Sequence, residues 1–138
     1  MTWWRGCLLA FYALMMSFGL DRVPLVLFDE TPYADTAYQF GLSGHFHNLL
    51  GGFSGQQFFL YPAYLSVFFK FLPVTLWTAR FASVLLGVIG LWVLMRICDE
   101  LAFKRFTTFL ILVGFCLYNT TVVGFRIVRP EAMVVTLF

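Results

Sequence analysis

The fold of this 138-residue chain is decided by residues 74–97, VTLWTARFASVLLGVIGLWVLMRI. A helix needs about 20 largely apolar residues to cross a bilayer, and this stretch is charged only at Arg80 and Arg96. The whole chain is 61% apolar and 12% charged, with a mean hydropathy of +0.85, whereas soluble domains average about 45–50% apolar and about 25% charged. The sequence therefore predicts an integral membrane protein.

Apolar segments on either side extend this prediction. Residues 6–28 and 106–125 are also long enough to span a bilayer, and another apolar run occupies residues 132–138. The predicted fold class is an all-α polytopic membrane protein: a single transmembrane domain with three full helices and the start of a fourth. Because seven residues cannot cross a bilayer, we expect residues 1–138 to be the N-terminal part of a longer protein or a truncated reading frame. Residues 6–28 also fit a signal peptide, but no small-residue cleavage site follows, which favours an uncleaved helix.

Basic residues in the short loops predict the orientation. Arg5 precedes the first predicted span, and three basic residues lie between the second and third spans: Arg96, Lys104 and Arg105. Both regions are therefore placed in the cytoplasm, and the loop of residues 29–73 falls on the outer (periplasmic or luminal) side. The turn after the third span also faces outward, although it carries Arg126 and Arg129. We interpret basic residues kept on that side as functional.

The outer loop is predicted to contain two short amphipathic helices. Thr31-Pro32 suits a helix start, with Thr as the N-cap and Pro at the first helical position. The apolar positions that follow have helical spacing and are Tyr33, Ala37 and Phe40. Gly41 and Gly44 end this helix, and a second helix is expected from Pro62 to a stop at Pro73. Both could lie along the membrane surface.

Acidic residues are concentrated at the beginning of this loop. Three of the seven in the chain are Asp29, Glu30 and Asp35. Asp29-Glu30 comes just before a helix N-terminus, whose dipole favours ionised carboxylates. An ionised carboxylate beside an apolar surface is a candidate general base for a hydroxyl group. The alternative is a solvated acid that only caps the helix.

Several short motifs follow the first span in a particular order. They are Asp29-Glu30 with Tyr33, Ala37 and Gly44, then Tyr61-Pro62, Ala79-Arg80-Phe81 and Arg129-Pro130-Glu131. From about Leu20 to Phe138, this order resembles the N-terminal part of the GT-C class of membrane glycosyltransferases. The most similar members are of the protein O-mannosyltransferase and aminoarabinose-transferase type (dolichyl-phosphate-mannose–protein mannosyltransferase-like). Such enzymes often have a Pro-Pro-Leu-type motif where this chain has LYPAYL.

The resemblance implies transfer of a sugar from a polyprenyl-phosphate donor to an acceptor hydroxyl, with inversion at the anomeric carbon. It implies that Asp29 is the base and that Glu30 orients the acceptor or holds the site together. It also implies that Glu131 approaches the same outer cavity. Two acids such as Asp29 and Glu131 could in addition hold a divalent metal cation through oxygen ligands.

Three arginines are candidates for binding the donor phosphate: Arg80, Arg126 and Arg129. The leaving lipid phosphate gains negative charge as the glycosyl bond breaks. Guanidinium groups stabilise such charge and bind phosphate with two parallel donors. The alternative is membrane anchoring, in which an arginine near a helix end extends to the lipid headgroups.

Other functions remain open at the level of sequence. The net charge of +2 and the absence of a basic block argue against nucleic acid as a partner. The expected partners are a lipid-linked sugar donor, membrane lipids and an acceptor of unidentified class. The main alternative is a transporter or channel segment in which Arg80 and Glu131 line a substrate path; another is a non-catalytic truncated membrane protein. We expect residues 1–138 alone to be inactive, because the donor groove would lack most of its helical walls.

Overall fold

The computed structural model describes residues 3–21, 30–46 and 59–137. Within these ranges the regular structure is entirely helical, which confirms the all-α class. The helices are α1 (Trp3–Ser17), α2 (Glu30–Ser43), α3 (Leu60–Phe71), α4 (Leu76–Glu100), α5 (Arg105–Leu117), α6 (Asn119–Gly124) and α7 (Glu131–Leu137).

Helix α4 is the centre of the structure. Thr75 begins it as an N-cap whose hydroxyl accepts a hydrogen bond from the Thr78 backbone N–H at 3.2 Å, a bond that satisfies one of the free N–H groups of the first turn. Helices α1, α3, α5 and α7 all pack against α4. Among the described residues, α4 is the one helix long and apolar enough to cross a membrane, and it matches the predicted span at 74–97.

A glycine allows the close packing around α4. A Cβ placed on Gly87 would lie 2.8 Å from Cγ of Phe125 and 3.1 Å from the Tyr12 hydroxyl. The absence of a side chain at this position therefore lets α1 and the segment after α6 approach the same turn of α4. Tyr12 and Phe125 are both buried in this core.

The flanking apolar segments differ from the predicted uninterrupted spans. Helix α1 ends at Ser17 and is followed by Gly19 with a φ of +66°, a conformation that commonly ends helices. Residues 22–28 of the predicted first span lie outside the described residues. The segment predicted as a third span at 106–125 is divided into α5 and α6, because Tyr118 is extended (φ −66°, ψ 119°). The Asn-Thr-Thr that follows has low helix propensity. Helix α5, with 13 residues, is about 20 Å long, shorter than the roughly 30 Å hydrocarbon core.

The two helices predicted in the 29–73 loop are present. Helix α2 already includes Glu30, so Thr31 lies within the helix and is not its N-cap. It ends at Ser43, before Gly44 with a φ of +73°. Helix α3 ends at Phe71, two residues before Pro73. The two helices pack against each other.

Candidate functional site

The candidate site is built around Arg80 on the first turns of α4. Its side chain is fully buried and meets the equally buried Glu30 of α2. Nε of Arg80 donates to Oε1 of Glu30 over 3.0 Å, and Nη2 donates to Oε2 over 2.7 Å. This is the bidentate geometry, with two parallel N–H···O hydrogen bonds, in which a guanidinium binds a carboxylate most strongly.

Two further hydrogen bonds connect this ion pair to the rest of the chain. Nη1 of Arg80 donates to the carbonyl oxygen of Leu20 over 2.7 Å, and the backbone N–H of Val128 donates to Oε1 of Glu30 over 2.9 Å. The pair therefore joins the turn after α1, the N-terminus of α2, the body of α4 and the connection from α6 to α7.

The electrostatics of the pair explain why neither partner can be buried alone. Taking a charge out of water costs several kcal/mol, and mutual attraction offsets that cost only when the geometry is good and the remaining donors and acceptors are bonded. Glu30 and Arg80 meet both conditions through Leu20 and Val128. The result is a neutral polar centre inside an apolar core.

A second buried polar contact lies next to it. The hydroxyl groups of Tyr61 on α3 and Ser83 on α4 are 2.6 Å apart. Burial raises the pKa of Tyr61 well above that of an ordinary tyrosine, against the opposing effect of its hydrogen bond with Ser83. The phenol is therefore protonated and neutral. Ser83 is not among the site residues predicted from sequence. The pattern that could have indicated it is its position three residues after Arg80, which places both side chains on one face of α4.

The two outer arginines lie in the connection between α6 and α7. Nη2 of Arg126 donates to the carbonyl oxygen of Phe18 over 2.7 Å. Nε of Arg126 is buried and has no hydrogen-bond acceptor in the described part of the chain. Arg129 follows Val128 by one position and is partly buried. Both arginines are thus close in the chain to the residue that binds Glu30.

The two glutamates that the sequence assigned to one cavity differ in their exposure and surroundings. Glu131 is exposed and begins α7. It lines a cavity of about 270 Å³ whose other walls include Tyr118, Thr121 and Phe125. Glu30, in contrast, is fully buried against Arg80, so its carboxylate does not open into that cavity. Asp29, the predicted base, lies outside the described residues.

The arrangement does not provide a metal site among the described residues. No group of three or more His, Cys, Asp or Glu side chains there could hold an ion. The Glu30 carboxylate is already neutralised by Arg80, and Asp29, one of the two acids considered as cation ligands, is not among the described residues.

Comparisons of the chain with protein-family models, curated protein sequences and solved structures find no match. The relevant features are the buried pair of Glu30 and Arg80, the two arginines after α6, and the apolar helices that surround them.

Proposed function

We propose that this chain is part of a polytopic membrane glycosyltransferase that transfers a sugar from a polyprenyl-phosphate donor to an acceptor hydroxyl with inversion. The observation that carries the proposal is the convergence of three distant motif segments. The carboxylate of Glu30 binds both Arg80 and the backbone of Val128, immediately before Arg129-Pro130-Glu131. These are the segments that the sequence resemblance assigns to one active site.

The outer surface of the helices supports a membrane location for this site. Large apolar side chains are exposed on helices α1, α4 and α5, including Phe11, Leu14, Ile89, Trp92, Phe106, Phe109 and Leu110. Apolar surface of this extent is stable in lipid or against other helices and costly in water. In the proposal α1, α4 and the α5–α6 segment cross the bilayer, with the N-terminus in the cytoplasm and the 29–73 loop outside.

The proposed reaction uses the chain's own acids and arginines. Asp29 removes the proton of the acceptor hydroxyl as its oxygen attacks the anomeric carbon, and the bond from that carbon to the phosphate oxygen breaks. Arg126 and Arg129 stabilise the charge that develops on the departing lipid phosphate. Arg80 is occupied by Glu30 and Leu20, so its part in this arrangement is to hold the segment that follows Asp29 against α4.

The test is a transfer assay on the protein expressed from its complete reading frame and purified in detergent. The donors are radiolabelled polyprenyl-phosphate mannose and polyprenyl-phosphate aminoarabinose. General-base catalysis contributes about 10²–10⁴-fold, so Asp29→Asn is expected to lower transfer by about that factor, without changing the binding of undecaprenyl phosphate. Asp21→Asn, at an exposed position eight residues earlier in the sequence, serves as the matched control and should transfer normally. Absence of both transfer and undecaprenyl phosphate binding in the native protein would overturn the proposal.

A transporter or channel segment is the second candidate, and one observation favours it. Helix α5 is interrupted at Tyr118, and this interruption opens on the cavity that contains Glu131. Interrupted membrane helices commonly surround substrate sites in transporters. A cysteine at Tyr118 distinguishes the two functions in proteoliposomes. Labelling by an impermeant reagent from both sides of the membrane indicates a transport path, whereas labelling from the outer side alone agrees with a transferase cavity.

A further inference from the structure

A second cavity lies at the opposite end of α4 from Arg80. It has a volume of about 390 Å³. Its walls include three basic, two aromatic and one acidic side chain, which are Arg5, Arg96, Arg105, Trp92, Phe103 and Asp99. Three cations and one anion in the same wall make this cavity positively charged. None of these residues belongs to the site at Glu30.

The charges in the cavity wall are only partly compensated. Both terminal nitrogens of Arg5 donate to the Asp99 carboxylate, over 2.5 and 2.6 Å, and this pair is neutral. Nε of Arg5 is buried and has no acceptor among the described residues. Arg96 and Arg105 form no hydrogen bond or ion pair within the described ranges. Arg96 interacts with Asp99 through charge alone, so the hydrogen-bond donors of both guanidinium groups are available to an anion.

An apolar groove adjoins this cavity. The groove has a volume of about 440 Å³ and shares Trp92 and Arg96 with the charged cavity. Its remaining wall is apolar at Val93, Ile97 and Leu101 and carries one acidic side chain, Glu100. A ligand that occupied both would need an anionic end and a hydrocarbon end joined within a short distance.

We propose that the cavity binds the phosphate headgroup of an anionic phospholipid from the surrounding bilayer, with an acyl chain in the adjoining groove. Arginine donors suit phosphate oxygens, and basic pockets at helix ends bind anionic headgroups. Trp92, where the two spaces meet, is the residue type enriched at the level of the headgroups. The proposal rests on membrane insertion of α4 but does not depend on the transferase assignment.

Native mass spectrometry of the detergent-solubilised chain, titrated with phosphatidylglycerol or phosphatidylcholine, tests this site. We expect preferential binding of phosphatidylglycerol. Each of Arg96→Gln and Arg105→Gln should weaken that binding about fivefold, the usual contribution of one basic residue near an anionic surface, and both together about 25-fold. Phosphatidylcholine binding should not change. Lys70→Gln, which removes a positive charge from an exposed position on α3, is the matched control and should retain the native preference.

Three outcomes would overturn the proposal. The first is equal binding of the two lipids, and the second is a native preference in the double variant. The third is displacement of phosphatidylglycerol by inorganic phosphate at matched concentration, which would identify a site for soluble anions. Arg96 and Arg105 are exposed, so far-UV circular dichroism should show native helicity in both variants. Since none of these measurements uses sugar transfer, failure of the transferase assignment would leave the result interpretable.

Discussion

Glu30 and Arg80, 50 residues apart in the chain, form a fully buried ion pair with two parallel hydrogen bonds of 2.7 and 3.0 Å. The pair connects the N-terminus of α2 to α4 through charge rather than through apolar contact. In a chain with so few charged residues, this is the principal polar connection inside the described core. The position of α2, which begins one residue after the predicted base in the sequence, depends on it.

Breaking this pair on one side should destabilise the protein. Glu30→Gln leaves a buried guanidinium without a counter-charge, and such a change costs about 3–5 kcal/mol. Glu30→Gln combined with Arg80→Met removes both charges and should recover much of that loss. Unfolding in detergent followed by circular dichroism measures both. Asp99→Asn, which breaks the more exposed pair with Arg5, is the control and should have a much smaller effect; equal losses for Glu30→Gln and Asp99→Asn would contradict the prediction.

Adding one methyl group at Gly87 should disturb the core. The new Cβ would lie 2.8 Å from Cγ of Phe125. This atom joins the aromatic ring to the buried Phe125 backbone, so it has little room to move. Gly87→Ala should therefore cost about 1–3 kcal/mol, as overpacked substitutions do. Gly114→Ala is the control, because no atom lies within 4 Å of its Cβ position, and a helical alanine there should add about 0.5–1 kcal/mol. In thermal unfolding, the Tm of Gly114→Ala should be higher than that of the native protein, and the Tm of Gly87→Ala should be lower.

The proposed topology can be tested with single cysteines in a variant that lacks Cys7, Cys98 and Cys116. Leu42→Cys and Ala102→Cys place thiols at exposed positions on the two predicted sides. A membrane-impermeant maleimide applied to intact cells should label the cysteine at position 42 and leave the one at position 102 unlabelled. Permeabilised cells should show labelling of both. The reverse pattern in intact cells would place the α2 segment in the cytoplasm and end the proposed reaction.

The two arginines between α6 and α7 should control affinity for the donor phosphate. A hydrogen bond to a charged group contributes about 1.5–3 kcal/mol, so Arg126→Gln and Arg129→Gln should each weaken undecaprenyl phosphate binding about 10- to 100-fold. Arg126 offers the clearer case, since its Nε is buried and has no acceptor among the described residues. The measurement is equilibrium binding of radiolabelled undecaprenyl phosphate in detergent. Lys70→Gln is the control, and an unchanged affinity in both arginine variants would remove the phosphate assignment.

Local sequence pattern was sufficient to predict α4 from its composition and the ends of α2 and α3 from their turn residues. The apolar run at 74–97 predicts α4 because helix length and apolarity are properties of one continuous segment. Gly44 and Pro73 likewise mark the ends of α2 and α3 to within two residues. Such signals act over a few positions, so they can be read without knowing the fold.

The interruption at Tyr118 and the partner of Arg80 were decided by tertiary structure. Apolar residues lie on both sides of Tyr118, and the sequence alone predicted one continuous helix. Arg80 was predicted to bind phosphate or to reach the lipid headgroups, whereas the structure surrounds it with Glu30 and Leu20. A buried charge is stable only beside its counter-charge, and which acid fills that position depends on how α1, α2 and α4 pack. Sequence therefore determined which segments are helical and apolar, and the packing of those helices determined which of their few charges meet.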